Sequence, residues 1–106
     1  MSEVKEIFSD KLTAKVANDQ SLLDEINSVY QFEITGDEEC NWVVDLKEGK
    51  VTEGTSDSAD CTITVDSDDF KDIVSGTLPG PMAFMSGKLK IQGDMGLAMK
   101  LGQLLG

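Results

Sequence analysis

Residues 80–105, GPMAFMSGKLKIQGDMGLAMKLGQLL, hold four of the chain's five methionines and read in three pieces. Pro79 and Pro81 bracket a short helical segment, Met82 to Met85. Gly87 then opens a strand, KLKIQ, whose two-residue alternation sends Leu89 and Ile91 inward. Gly93 and Asp94 lead into a last helix that carries almost no charge. Within that helix Met95, Met99 and Leu101 or Gln103 fall near one face. Leu97, Ala98, Leu104 and Leu105 widen the apolar surface well beyond a narrow stripe. Such a helix needs cover on two sides. A sheet supplies one; another helix, a partner, a membrane or a bound ligand must supply the other. Thioether and Leu side chains adapt to many shapes, although at helical spacing they also serve as ordinary core filling.

Upstream, the pattern is helix, helix, then strands. Val4, Ile7, Phe8, Leu12 and Val16 recur at three- and four-residue spacing and share one face of a first helix, with Glu3, Lys5, Asp10 and Lys11 opposite. Leu22, Leu23, Ile26 and Val29 predict a second short helix that Asp19 or Ser21 caps. In YQFEIT the period drops to two: Tyr30, Phe32 and Ile34 face one way, Gln31, Glu33 and Thr35 the other. GDEE turns the chain into CNWVVDL, where Trp42, Val44 and Leu46 share a face. KEGK reverses it into a short third strand around Val51. The polar stretch GTSDSAD precedes a fourth strand, CTITV, with Cys61, Ile63 and Val65 inward. Asp66, Ser67 and Asp68 offer a cap for a helix carrying Phe70, Ile73 and Val74, and Gly76 offers its stop.

The 106 residues fit a single domain, 1–106, with one core. Apolar content of 40% and charged content of 27% are those of an ordinary globule. There is no run of 18 apolar residues and no basic-then-hydrophobic start, so neither an anchor nor a secretory leader is expected, and a cytoplasmic location is. Net charge is −11, with nine Lys and no Arg, which argues against nucleic acid. The charge is uneven: residues 1–72 hold 19 acids and six Lys, whereas 73–106 hold Asp94 alone against Lys88, Lys90 and Lys100. A locally basic, apolar segment on an acidic body fits transient membrane contact.

Catalytic and metal motifs fail on inspection. Cys40 and Cys61 lack any His companion, so no metal site is expected, and each reads as a small buried hydrophobe. DSDD at 66–69 lacks the glycine and glutamate of a calcium loop, having Lys71 and Thr77 in their places. Gly80 and Gly87 are wrongly spaced for a phosphate loop, and Gly87, Gly93 and Gly96 for a dinucleotide fingerprint. With no His, the commonest neutral-pH base is missing. The expectation is a non-enzymatic binding protein without a cofactor.

ADCTITVDSDDF, followed by FMSGKLKIQGDMGLAMKL, resembles the lipid-transfer domain of the sterol carrier protein 2 family, and NWVVDLKEGK resembles that family's preceding strand and turn. The match spans about residues 29–101. The resemblance implies an α+β fold: a five-stranded β-sheet whose fourth-to-fifth connection crosses over, helices covering one face, and an apolar tunnel between them for fatty acids, sterols or acyl-CoA. On that reading Phe32, Phe70, Ile73, Met82, Met85, Ile91, Met95, Met99 and Leu101 line the tunnel. Leu12, Val16 and Ile26 form an N-terminal wall, and Lys15 meets a carboxylate at the mouth. The implied role is an intracellular lipid carrier, a monomer with a ligand-linked dimer allowed; the competing role is a protein-interaction module using the last helix. Two departures stand out: Asp94 replaces the family's common Asn and adds a negative charge at the cavity's edge, and the chain ends LeuLeuGly instead of a peroxisomal tripeptide.

Overall fold

The computed structural model describes residues 3–100 and Leu104, apart from the side chain of Ala98. Its first stretch is a continuous helical run: α1 (Glu3–Glu6), a π-helical segment (Ile7–Leu12) and α2 (Thr13–Asn18). The π segment has a cause in the sequence. Val4, Phe8, Leu12 and Val16 recur every four residues, and in a pure α-helix each such step drifts by about 40°. Widened turns correct the drift, because more residues per turn return the fourth position to the same face. All four side chains are buried. The hydroxyl of Thr13 donates to the carbonyl of Phe8, 2.8 Å away, at the end of that segment.

Asp19 caps α3 (Gln20–Ile26), accepting from the Leu22 amide at 3.1 Å. Asn27, at φ 44°, ends that helix. The expected second helix therefore stops short of Val29, which is instead the first residue of β1 (Val29–Thr35). Its β-branched side chain packs on a pleated surface better than in a terminal helical turn.

β1 is the middle strand. It pairs antiparallel with β2 (Cys40–Asp45) and parallel with β4 (Cys61–Asp66); β3 (Lys50–Glu53) and β5 (Leu89–Gly93) are the edges, in the order β3-β2-β1-β4-β5. The crossing connection is thus third-to-fourth, not the fourth-to-fifth one expected. Residues 54–60 carry the chain from one edge past β2 and β1, whereas β4 and β5 are antiparallel neighbours joined through α4 (Ser67–Ser75) and α5 (Gly80–Met85). Alternation alone cannot reveal this, since it sets faces and not neighbours.

Across the inner face the register aligns Trp42, Phe32, Ile63 and Ile91 in one row, and Ile34, Val65 and Leu89 in the next. These rows and the helices form a single core. On the outer face the crossing loop covers Gln31. The buried Gln31 amide donates to the Gly54 carbonyl at 3.1 Å and accepts from the Ser56 amide at 2.7 Å, so a polar residue is satisfied beneath a loop. Asp60 closes that loop, accepting from the Val29 amide through its side chain at 3.0 Å and from the Asp94 amide through its carbonyl at 3.1 Å. A second clamp lies at the opposite end. Glu38 accepts from the Val4 amide at 3.1 Å and pairs with Lys71 of α4, tying α1 to α4 across the β1–β2 turn.

Gly93 sits at φ 103°, and a Cβ placed there would meet the Asp60 carbonyl oxygen at 2.5 Å. Gly93→Ala is expected to lower stability by at least about 2 kcal/mol through backbone strain and that clash. Urea unfolding checks this, and an unchanged midpoint would refute the crowding.

Candidate functional site

The inner face carries an aromatic group built around Phe8. Its ring stacks on Trp42 at 5.2 Å and on Phe70 at 5.0 Å, with Phe32 edge-on at 5.3 Å. The stack joins the N-terminal helix, the sheet and α4. Of the expected lining residues, Leu12, Val16, Ile26, Phe32, Phe70 and Ile73 all belong to this one core, and Ile91 packs against it half-buried. Lys15 is half-buried on α2, where its charge acts on the capping Asp19.

The methionines lie elsewhere. On α5, Ala83 is buried while Met82, Phe84 and Met85 are exposed, Met85 to 85%. On α6 (Met95–Met99), Leu97 is buried while Met95 and Met99 are exposed, Met99 to 88%. Among the described residues, every exposed large apolar side chain falls within residues 82–99. The expected lining set is therefore split between an interior floor and a greasy exterior on two short helices, and Leu101 lies outside the described residues. Leu104 is fully buried in the core.

α6 is attached at both ends. Asp94 caps it, accepting from the Gly96 amide at 2.8 Å. The Tyr30 hydroxyl, rising from the middle of β1, donates to the Leu97 carbonyl at 2.6 Å. Lys100 reaches the Glu25 carbonyl of α3 at 3.2 Å. Among the described residues, buried Leu97, the Tyr30 hydrogen bond, the Lys100 contact and, further along, buried Leu104 hold this end of the chain to the body.

Electrostatics at this end are set by burial and by Asp94. Burial pushes the Cys61 thiol from 9.0 up to about 11, with Asp94 and Asp60 adding to the rise. Burial also raises the Tyr30 phenol well above its ordinary range, again with Cys61 and Asp94 contributing. Both groups stay neutral at physiological pH, so the floor beneath α6 offers hydroxyl and thiol but no charge. Cys40 is raised as well, chiefly by burial. Among the described residues no group of His, Cys, Asp and Glu is arranged to hold a metal. A separate open groove of about 670 Å³ between α1 and α4 is edged by Glu3, Glu6, Asp10 and Lys71. Its charged rim has the wrong chemistry for an apolar guest.

Sequence reasoning did not single out Phe8, Tyr30, Trp42 or Phe84 as functional. Phe8 and Trp42 carried only the periodic signal of core residues. Phe84 stands between Met82 and Met85, and its position in that run was the available clue.

A mixed five-stranded sheet with helices on its inner face and a greasy terminal helix defines an α+β domain of the sterol-carrier class. The family model described as the SCP-2 sterol transfer family matches residues 9–106. The chain belongs to that family. It is 51% identical over 81 residues to hydroxysteroid dehydrogenase-like protein 2 of Xenopus tropicalis, a match covering 74% of this chain and 19% of that protein. The chain thus spans about a fifth of that relative's length. The crystal structure of sterol carrier protein 2 like 2 from Aedes aegypti superposes with a TM-score of 0.81 at 33% identity, covering 92% of this chain and 93% of that one. The solution structure of Aedes aegypti sterol carrier protein 2 in complex with palmitate gives a TM-score of 0.66 at 32% identity, covering 92% and 94%.

Two outcomes follow from this geometry. Tyr30→Phe removes the buried donor and leaves the Leu97 carbonyl with the Lys100 amide at 3.0 Å, so it is expected to cost about 0.5–1.5 kcal/mol, with faster amide exchange across 95–99; exchange unchanged there would remove Tyr30 as the anchor. For Cys61, the raised thiol contributes stability in full below pH 9 and loses it as pH climbs through about 11. Unfolding free energy measured from pH 7 to 11 should fall more gently in Cys61→Ala than in the parent, and parallel curves would contradict the assignment.

Proposed function

We propose that the chain is a non-enzymatic lipid carrier that lodges a fatty acid, sterol or acyl-CoA guest between α6, α5 and the inner face of the sheet. The observation that carries this reading is the concentration of exposed Met and Phe on two short helices above an uncharged apolar floor. A soluble domain gains nothing from exposing five large apolar side chains together unless something covers them. The palmitate complex of a relative at 32% identity supports an aliphatic guest.

The energetics suit exchange instead of storage. A sixteen-carbon chain moving from water to an apolar site gains up to about 12 kcal/mol at roughly 0.8 per methylene, against about 4–15 kcal/mol for lost freedom. The net affinity is modest, and flexible thioethers repack around different shapes. The neutral Tyr30 hydroxyl gives a guest one hydrogen-bonding group if Leu97 moves aside. Asp94 at the same end disfavours a carboxylate placed against it, so a fatty acid sits with its acid group away from Asp94.

The interaction-module reading uses the same greasy helices. Native mass spectrometry separates the two: palmitate retained on a monomer supports the carrier, and an empty dimer supports the module. Because Met99 is 88% exposed, Met99→Asp should keep the fold. The substitution is expected to weaken palmitate uptake about tenfold or more by placing a charge in the apolar route. Full uptake by that variant would count against the site.

A further inference from the structure

We infer that the open groove between the N-terminal helix and α4 seats a basic, amphipathic helix of a partner protein, whose apolar side chains meet Ile7 and Val74 while its Lys or Arg side chains meet Glu6, Asp10 and Asp72. The groove, about 670 Å³, takes its apolar lining from Ile7, at the start of the π segment, and from Val74 of α4. Both also pack on the core, Val74 buried and Ile7 half-buried, so the lining is fixed in place. The inference is separate from the carrier reading, because α5 and α6 take no part in it.

Charge complementarity selects the occupant. The rim carries four carboxylates against two Lys, a net charge of −2. Lys71 is already shared among Glu38, Glu3 at 3.7 Å and Asp68 at 3.8 Å. Glu6, Asp10 and Asp72 are exposed and enter no ion pair among the described residues, so their charge is available. Residues 1–72 hold 19 acids against six Lys, and a field of that sign steers basic partners inward. Acids alone would form an ordinary solvated surface. Here two separate helices place them around an apolar-lined groove, the arrangement that receives an amphipathic helix. A bare cation would leave Ile7 and Val74 uncovered.

Positions along the N-terminal helix give the recognition pattern. Glu3, Ile7 and Asp10 recur at three- and four-residue spacing, beside the face that buries Val4, Phe8 and Leu12. A partner helix laid along them presents an apolar residue to Ile7 and basic residues three or four positions to either side. From Glu3 to Asp10 the face runs about 10 Å at 1.5 Å per residue, roughly two turns of the partner. The walls are set before anything binds. Phe8 stacks on Phe70 at 5.0 Å between the same two helices, and Glu38 accepts from the Val4 amide while pairing with Lys71. A preformed groove loses little freedom on association.

The test is amide chemical-shift mapping of the full chain titrated with short helical peptides: one of Lys and Leu, one with its Leu replaced by Ser, and one with its Lys replaced by Glu. The Lys/Leu peptide is expected to give saturable shifts in residues 3–11 and 71–75, about tenfold or more tighter than the Lys/Ser peptide, with the Glu/Leu peptide silent there. The double variant Glu6→Lys, Asp10→Lys, altered at exposed positions, should weaken the Lys/Leu peptide about tenfold or more, because attraction becomes like-charge repulsion. Its palmitate uptake should equal that of the parent. No saturable shift in the groove, shifts confined to residues 82–99, or equal groove binding by the variant overturns the inference. Equal binding of the Lys/Ser peptide also overturns it, by reducing the contact to bulk charge. Groove binding without palmitate uptake sinks the carrier reading alone; uptake without groove binding sinks the groove alone.

Discussion

The hydrogen bond from the Tyr30 hydroxyl to the Leu97 carbonyl, 2.6 Å long and buried, joins the middle of the sheet to the last helix. On the body side everything supports it: β1 is paired on both flanks, and its inward residues are covered by the Phe8, Phe32, Trp42 and Phe70 rings. On the helix side, Leu97 follows it into the core, and Leu104 is buried there as well. A buried hydrogen bond contributes modestly when made and costs more when broken without replacement. On the proposed carrier reading, a guest that supplies apolar contact and a new partner for the hydroxyl competes with this bond. An attachment of this strength differs from the three-ring stack, which locks the N-terminal helix permanently.

Much of the fold was legible because its periods are clean. The four-residue recurrence of Val4, Phe8, Leu12 and Val16 gave the first helix, and CTITV gave a strand whose Cys61, Ile63 and Val65 are buried as the alternation requires. Asp19 and Asp66 cap helices through the short-range chemistry that makes Asp a start signal. What failed was non-local. Val29 continued an apolar spacing from the helix before it, and only the sheet's demand for an edge-to-edge partner, Asp45, explains its strand conformation. The crossing connection was misplaced because neighbour order is decided by which surfaces meet, here through Gln31 and Asp60 pinning a polar loop.

The candidate site was legible in composition and less so in placement. The run of methionines, four of the five within 20 residues of one another, marked the segment on which the structure exposes its large apolar side chains. Their outward orientation was not readable, because a broad apolar helix has no unique inward side until its neighbours are known. The requirement that the last helix be covered on two sides describes the structure's condition: the sheet covers the Leu97 side, and the Met95 and Met99 side faces outward.

Amide chemical-shift mapping during titration with palmitate tests the central claim most directly, because it locates the guest without altering a residue. The account predicts saturable shifts concentrated in residues 80–99 and at Tyr30, with the α1–α4 groove unmoved. Shifts confined to that charged groove, or no saturable shift at all, would contradict it.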